Sequence, residues 1–187
     1  MVMTDYSEEA EMDVRTLMHQ AVINHGEREC VSHGERRLTF NEAWQRGVRL
    51  ANALLAMNLQ PGDRVGVLED NSIEAADFFH GMAIANLVRV PLYPRNGAEA
   101  HRHMLSHTGC KALMVSQNYL HEVEGIDQQV PSLDSVLVRD DGYEDWLSAQ
   151  SDVLPDVAVH PDDNFIIRHT GGTTGLSKGV AYTHRAW

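Results

Sequence analysis

Residues 169–179 carry the greatest density of chemical groups in the chain: four glycines, four hydroxyl side chains and one lysine. Glycine lets backbone N–H groups turn inward around an anion, hydroxyls donate hydrogen bonds, and the ammonium of Lys178 neutralises negative charge. This combination suits a polyphosphate. A glycine-rich hairpin without a ligand is the alternative interpretation, but the paired threonines and one of the chain's only two lysines favour a binding loop.

Spacing separates this loop from the Walker A motif. That motif needs Gly immediately before Lys, whereas Ser177 precedes Lys178 here. Residues 180–183, which follow the loop, are mostly β-branched or aromatic and predict a strand instead of a helix. A bound anion would therefore be held by loop amides and side chains, with little help from a helix dipole.

The elements that must position this loop alternate between strand and helix. Hydrophobic periodicity, capping residues and turn residues define them. Strands are predicted at 29–33, 37–40, 64–68, 88–92, 111–115, 135–138, 164–168 and 180–183. Helices are predicted at 14–25, from 40 to just before 58, and at 72–86, 98–108, 118–124 and 143–149. This alternation is typical of right-handed crossovers, so we expect an α/β fold with a mostly parallel sheet and helices on both faces.

Composition limits the classes of partner and the location of the protein. Fifteen basic and 27 acidic residues give a formal charge of −12, which argues against nucleic acid and anionic membranes as partners. The longest apolar stretch is interrupted by His80 and Asn86 and is shorter than the roughly 20 residues of a membrane span. Cys30 and Cys110 lack disulfide or metal-site spacing, and no secretory signal is recognisable. We therefore expect a cytoplasmic protein without a membrane span.

Charge and pattern divide the chain into three parts. Residues 1–13 are acidic and are expected to be frayed. Residues 14–163 form the predicted α/β subdomain. Residues 164–187 supply a strand, the phosphate-binding loop and a second strand, which we expect to be incomplete without following sequence and to offer an edge for self-association.

The loop resembles the phosphate-binding signature of the adenylate-forming enzymes, the superfamily of acyl-CoA synthetases, luciferases and peptide-synthetase adenylation domains. Its form with Gly171 is similar to that of fatty-acyl-CoA synthetases, although Ser177 stands where Pro is usual. The likeness extends upstream in the family's order and covers nearly the whole chain from about Val14. The matching upstream segments are 38–42, 59–65, 71–72, 90–95 and 107–111.

The resemblance implies an ATP-dependent ligase that activates a carboxylic acid, in particular a fatty acid, as an acyl-adenylate and transfers it to CoA. ATP, Mg²⁺ and CoA are the implied cofactors of the full-length enzyme. The implied ligands of the ATP phosphates are Thr170, Gly171, Gly172, Thr173, Thr174, Gly175 and Lys178.

The family's usual length is about three times that of this chain, so the resemblance predicts an amino-terminal part of such a synthetase, with a truncated first subdomain. The family's catalytic residues lie beyond it, so no catalytic residue is assigned and the part alone is expected to be inactive. Two alternatives stay open. One is a noncatalytic nucleotide- or pyrophosphate-binding module, and the other is a fragment of an amino-acid adenylation domain.

Histidines form a weaker pattern. His101, His103 and His107 share one predicted helix, and the last two have the i, i+4 spacing that can hold zinc. No acidic or cysteine ligand at matching spacing accompanies them, so we expect a solvated helix face and no metal site. His184 is expected to be a structural hydrogen-bond partner.

Overall fold

The computed structural model describes residues 12–171 and 176–187, which form six α-helices, eight strands and one 3₁₀ helix. The helices are α1 (Val14–His25), α2 (Phe40–Ala56), α3 (Ile73–Ile84), α4 (Ala98–Thr108), α5 (Ile126–Gln129) and α6 (Tyr143–Ser148), and the 3₁₀ helix covers Gln117–Glu122. The strands are β1 (Glu29–His33), β2 (Arg36–Thr39), β3 (Arg64–Leu68), β4 (Val88–Pro91), β5 (Ala112–Ser116), β6 (Ser135–Arg139), β7 (Asn164–His169) and β8 (Gly179–Thr183).

A six-stranded sheet with the order β6-β5-β3-β4-β7-β8 forms the centre of the fold. The first five strands in this order run parallel, and β8 runs antiparallel to β7. Strands β1 and β2 form a separate antiparallel hairpin. The predicted α/β class with a mostly parallel sheet is confirmed.

Helices cover both faces of this sheet, as the alternation along β5 shows. Ala112 and Met114 pack into a cluster with α2, α3 and α6, whereas Leu113 and Val115 pack into a second cluster with α4 and α5. All four side chains are almost completely buried, and each large one contributes about 1.5–3 kcal/mol of transfer free energy. The double-sided apolar run is what a parallel strand inside an α/β sheet requires.

Helices α2 and α3 approach closely because each presents a glycine to the other. A Cβ atom on Gly47 would lie 2.6 Å from Cβ of His80, and one on Gly81 would lie 2.8 Å from Cγ of Leu50. Both distances are shorter than van der Waals contact allows. The glycines therefore set the separation of the two helices on this face.

A buried ion pair also joins these helices. The guanidinium of Arg46 donates to both carboxylate oxygens of Asp77, at 2.8 and 2.7 Å, and the hydroxyl of Tyr143 in α6 donates to the same carboxylate at 3.2 Å. Burial raises the pKa of Asp77, and the contacts with Arg46 offset part of that rise. The network links three helices, and sequence periodicity gave no sign of it.

Helix α1 is less buried than its apolar stripe predicts. Val14 is buried, but Leu17 is 57% exposed. Hydrogen bonds hold the start of the helix, because the amide of Val14 donates to Nδ1 of His184 at 3.3 Å and Arg15 donates to the carbonyl of Val157 at 2.6 Å. The structural role expected for His184 is thus confirmed.

The described ranges 12–171 and 176–187 contain no helix of sufficient length and apolarity to span a membrane.

Candidate functional site

Strands β7 and β8 bring the two ends of the glycine-rich loop together. Their register pairs His169 with Gly179, the last residue of β7 with the first of β8. One step further out, the amide of Thr170 donates to the carbonyl of Lys178 at 2.9 Å, and the amide of Lys178 donates to Oγ1 of Thr170 at 3.2 Å. The antiparallel ladder therefore closes the loop into a neck, with Thr170 on one side and Lys178 on the other.

Three of the seven predicted phosphate ligands lie at this neck. Thr170, Gly171 and Lys178 are exposed there, and a Cβ atom on Gly171 would meet no atom of the described residues within 4 Å. The described residues thus leave the space next to Gly171 open to a ligand. The other four predicted ligands lie outside the described residues: Gly172, Thr173, Thr174 and Gly175.

A cavity of about 730 Å³ opens beside the neck. Its walls come from the loop ends and from the segment between β4 and α4, and its volume is within the usual range of ligand pockets, about 300–1,000 Å³. Carboxyl ends of parallel strands are where α/β folds bind ligands, and both β4 and β7 end near this cavity. The lining residues include Tyr93, Asn96, His103, Thr170, Gly171 and Ser177.

Two side chains from the segment 93–103 hydrogen-bond to the ends of the loop. The hydroxyl of Tyr93 donates to the carbonyl of His169 at 2.6 Å, and Nε2 of His103 donates to the carbonyl of Ser177 at 3.0 Å. The ring of His101 is fully buried and donates from Nε2 to the carbonyl of Tyr93 at 3.0 Å. The expected solvated helix face is therefore wrong for His101, because its side chain points between α4 and the strand-end segment.

His169 is a buried imidazole next to the loop. It is 4% exposed, and neither ring nitrogen has a hydrogen-bond partner among the described residues. Burial lowers the pKa of His169 to about 4, and the nearby rings of His107 and His103 add a smaller repulsive contribution. The ring is thus neutral at pH 7.

The three histidine rings form a row, with ring centroids 5.4 Å apart for His103 and His107 and 6.3 Å apart for His107 and His169. No group of three or more histidine, cysteine or acidic side chains within the described part of the chain is arranged to hold a metal ion. Of these three rings, that of His103 hydrogen-bonds to the carbonyl of Ser177.

Sequence reasoning did not assign Tyr93 or His103 to the site. Tyr93 lies in a segment, 90–95, whose resemblance to the family was visible, but nothing in the sequence showed where its hydroxyl points. His103 stood out only by its spacing from His107. A contact across 74 or 76 positions leaves no periodic signal in a single sequence.

Comparison with known proteins gives the family. The model of the AMP-binding enzyme family matches residues 18–187. The long-chain-fatty-acid–CoA ligase FadD13 of Mycobacterium tuberculosis is 31% identical over 152 residues, which are 80% of this chain and 30% of that protein. A feruloyl-CoA synthase of Amycolatopsis sp. is 34% identical over 155 residues, which are 83% of this chain and 30% of the relative.

Solved structures agree with these relatives. The inhibitor-bound crystal structure of the N-terminal domain of FACL13 from Mycobacterium tuberculosis has a TM-score of 0.86 and 26% identity, and the match covers 92% of this chain and 44% of that one. The chain spans about a third of the length of the curated relatives named above. The resemblance to the amino-terminal part of acyl-CoA synthetases is therefore confirmed, and the chain belongs to the AMP-binding enzyme family.

Proposed function

We propose that this chain supplies the phosphate-binding loop of an ATP-dependent acid–CoA ligase. In the proposed reaction a carboxylate attacks the α-phosphorus of ATP and pyrophosphate leaves. The CoA thiol then displaces AMP from the acyl-adenylate, giving the thioester. Membership in the AMP-binding family supports the proposal, and similarity to a long-chain-fatty-acid–CoA ligase supports a fatty acid as the substrate.

The observation that carries the proposal is the neck between Thr170 and Lys178. A hydroxyl can donate one hydrogen bond while it accepts others, so Thr170 can donate to a phosphate oxygen while it accepts from the amide of Lys178. Lys178 is exposed beside Thr170, so its ammonium can bring positive charge to a phosphate bound there. Together they orient the pyrophosphate group and stabilise the negative charge that it gains on leaving.

Four more loop residues complete the proposed phosphate site, on the basis of the sequence. Backbone amides of a glycine-rich turn can form an anion nest, and threonine hydroxyls add donors. Mg²⁺ is proposed to enter with ATP, whose phosphate oxygens would hold it and whose charge it would neutralise. The four residues are Gly172, Thr173, Thr174 and Gly175.

The location and the edge of the sheet complete the proposal. A cytoplasmic location is supported by ATP and CoA as substrates and by Cys30 and Cys110, which are free thiols.

Strand β8 is the outermost strand of the described sheet, and Val180 and Tyr182 on it are 41% and 37% exposed. An unpaired edge of this kind supports self-association through β8.

Calorimetric titration of the 187-residue chain with Mg·ATP, Mg·pyrophosphate and Mg·AMP tests the phosphate site. A loop that holds the β- and γ-phosphates predicts binding of ATP and pyrophosphate, and binding of AMP that is at least about tenfold weaker. Equal affinity for all three would contradict the assignment, because AMP lacks those two phosphates.

The ligase activity is tested on the protein encoded by the complete native reading frame. The proposal predicts release of AMP and pyrophosphate that depends on a fatty acid, together with a CoA thioester. Release that depends on an amino acid would favour the adenylation-domain alternative. Pyrophosphate binding with no acid-dependent release would favour the noncatalytic module.

A further inference from the structure

The phosphate loop is tied to the rest of the fold at both of its ends. At the entry, the carbonyl of His169 accepts a hydrogen bond of 2.6 Å from the hydroxyl of Tyr93. At the exit, the carbonyl of Ser177 accepts a hydrogen bond of 3.0 Å from Nε2 of His103. Tyr93 lies between β4 and α4 and His103 lies in the second turn of α4, so one continuous segment, 93–103, hydrogen-bonds to both ends of the loop.

This segment is itself well fixed. Nε2 of the fully buried His101 donates to the carbonyl of Tyr93, which holds the backbone of the strand end against α4. Met104 and Leu105, which directly follow His103 in sequence, are buried in the core on that face of the sheet. The two donors are therefore anchored in the same packed part of the fold.

We propose that Tyr93 and His103 are positioning residues that set the neck of the phosphate loop from both sides. Neither side chain is required to touch the phosphates. They act through the carbonyls of His169 and Ser177, which are adjacent in sequence to the proposed ligands Thr170 and Lys178. Tyr93, His103, Thr170 and Ser177 also line the same cavity, so the ties fix two of its walls relative to each other.

The physical reason is the conformational freedom of glycine. A loop rich in glycine loses more backbone entropy on ordering than other sequences do, and it donates hydrogen bonds effectively only when its amides already point at the ligand. Each tie contributes the net free energy of one hydrogen bond, which corresponds to a factor of about three to ten in an equilibrium constant. The effect on ligand affinity rests on the function proposed above, whereas the ties are measurable without any ligand.

The test removes each donor and follows two readouts. Tyr93→Phe deletes only the hydroxyl, and His103→Ala deletes the ring. Tyr119→Phe and His121→Ala are matched controls, because their side chains lie on the 3₁₀ helix and contact Asp70 and Glu122 instead of the loop. The readouts are amide hydrogen exchange at the neck, measured by NMR in the ligand-free chain, and affinity for Mg·pyrophosphate, measured by calorimetry.

The neck amides are those of Thr170 and Lys178, whose hydrogen bonds close the loop. We expect both amides to exchange about three- to tenfold faster in Tyr93→Phe and in His103→Ala, with no change in the controls. Affinity for Mg·pyrophosphate should fall by a similar factor while the thermal midpoint stays within about 2 °C of the parent chain. His103→Gln keeps an Nε2 donor at similar reach and should restore most of both effects.

Unchanged exchange at both amides in Tyr93→Phe and His103→Ala would overturn the proposal. Exchange in His103→Gln as fast as in His103→Ala would also count against it, because a donated hydrogen bond would then not be the cause. The parent chain could also fail to bind pyrophosphate while both variants exchange faster than it does. That result would support the hydrogen bonds from Tyr93 and His103 and would refute the proposed ligand. The two claims can therefore fail separately.

Discussion

Thr170 and Lys178 hydrogen-bond to each other twice, once from the amide of Thr170 to the carbonyl of Lys178 and once from the amide of Lys178 to Oγ1 of Thr170. The second bond uses a side chain, so the closure of the loop depends on residue type at position 170. The two bonds also place Thr170 and Lys178 opposite each other where the loop begins and ends. Both residues are thus available to a phosphate group at the ends of the glycine-rich loop.

Replacement of Thr170 by Val keeps the branched shape but removes the hydroxyl. The amide of Lys178 then loses its acceptor and a bound phosphate loses a donor, so we expect affinity for Mg·pyrophosphate to fall about three- to 30-fold in calorimetry. Thr183→Val is the matched control, since Oγ1 of Thr183 accepts from the amide of Ala186 at the far end of β8. Equal losses in both variants would show that the hydroxyl at position 170 has no special role.

The stability of the fold should fall as the pH is lowered from about 6.5 to about 4. His169 has a pKa of about 4 when folded and an ordinary value of 6.5 when unfolded, so between these values the unfolded chain binds the extra proton. The contribution of its neutral form is complete above pH 6.5 and is lost as the pH falls toward 4. A pKa difference of this size corresponds to at most about 3 kcal/mol in the free energy of unfolding.

Urea unfolding at several pH values measures this effect. His169→Phe should have a shallower pH dependence between 6.5 and 4 than the parent chain, because the residue no longer titrates. His33→Asn, at an exposed position in the β1–β2 hairpin, should keep the dependence of the parent. Parallel pH profiles for the parent and His169→Phe would mean that His169 does not contribute to the pH dependence of the free energy of unfolding.

Removal of one partner from the buried ion pair should be strongly destabilising. Asp77→Ala leaves the guanidinium of Arg46 with fewer acceptors inside the helix layer, and we expect the free energy of unfolding to drop by about 3–5 kcal/mol. Asp152→Ala removes an exposed carboxylate 3.4 Å from Arg49 and should cost less than about 1 kcal/mol. A similar small loss in both variants would contradict the structural role of Asp77.

A glycine-to-alanine substitution should lower stability where α2 contacts α3 but not at an open position. Gly47→Ala introduces a Cβ atom 2.6 Å from Cβ of His80, so the helices must separate, at a cost of about 1–3 kcal/mol. A Cβ atom in Gly97→Ala meets no atom of the described residues within 4 Å, so this variant should change stability by less than about 0.5 kcal/mol. Thermal unfolding of both variants measures this difference. Equal midpoints would show that α2 and α3 can accommodate a Cβ atom at position 47 without loss of stability.

Local features of the fold could be predicted because their causes are local. Thr39 and Glu42 are three positions apart, and their reciprocal capping hydrogen bonds form at the start of α2 as the sequence predicts. Gly109 adopts the left-handed conformation, with φ of 62°, that ends α4. Apolar runs and turns likewise gave the strands of the sheet within a residue or two.

Long-range features could not be predicted in the same way. Arg46 and Asp77 are 31 positions apart, and each is an ordinary polar residue of an amphipathic helix until α2 and α3 pack. His101 was expected to lie on a solvated helix face because no acidic or cysteine ligand accompanies the three histidines, but packing against Tyr93 buries it. At the candidate site, the glycine-rich loop and Lys178 could be predicted from sequence, whereas the hydrogen bonds from Tyr93 and His103 to the loop ends depend on the topology that brings β4 beside β7.

The most direct measurement of the central claim is calorimetric binding of Mg·pyrophosphate to the parent chain and to Lys178→Ala. Lys111→Ala is the matched control, since Lys111 is the only other lysine and pairs with Asp63 away from the loop. A phosphate-binding role predicts that Lys178→Ala loses about ten- to 100-fold in affinity with an unchanged thermal midpoint, while Lys111→Ala binds like the parent. Equal affinity in all three chains, or a loss of stability in Lys178→Ala with unchanged affinity, would show that the loop is structural and would contradict the claim.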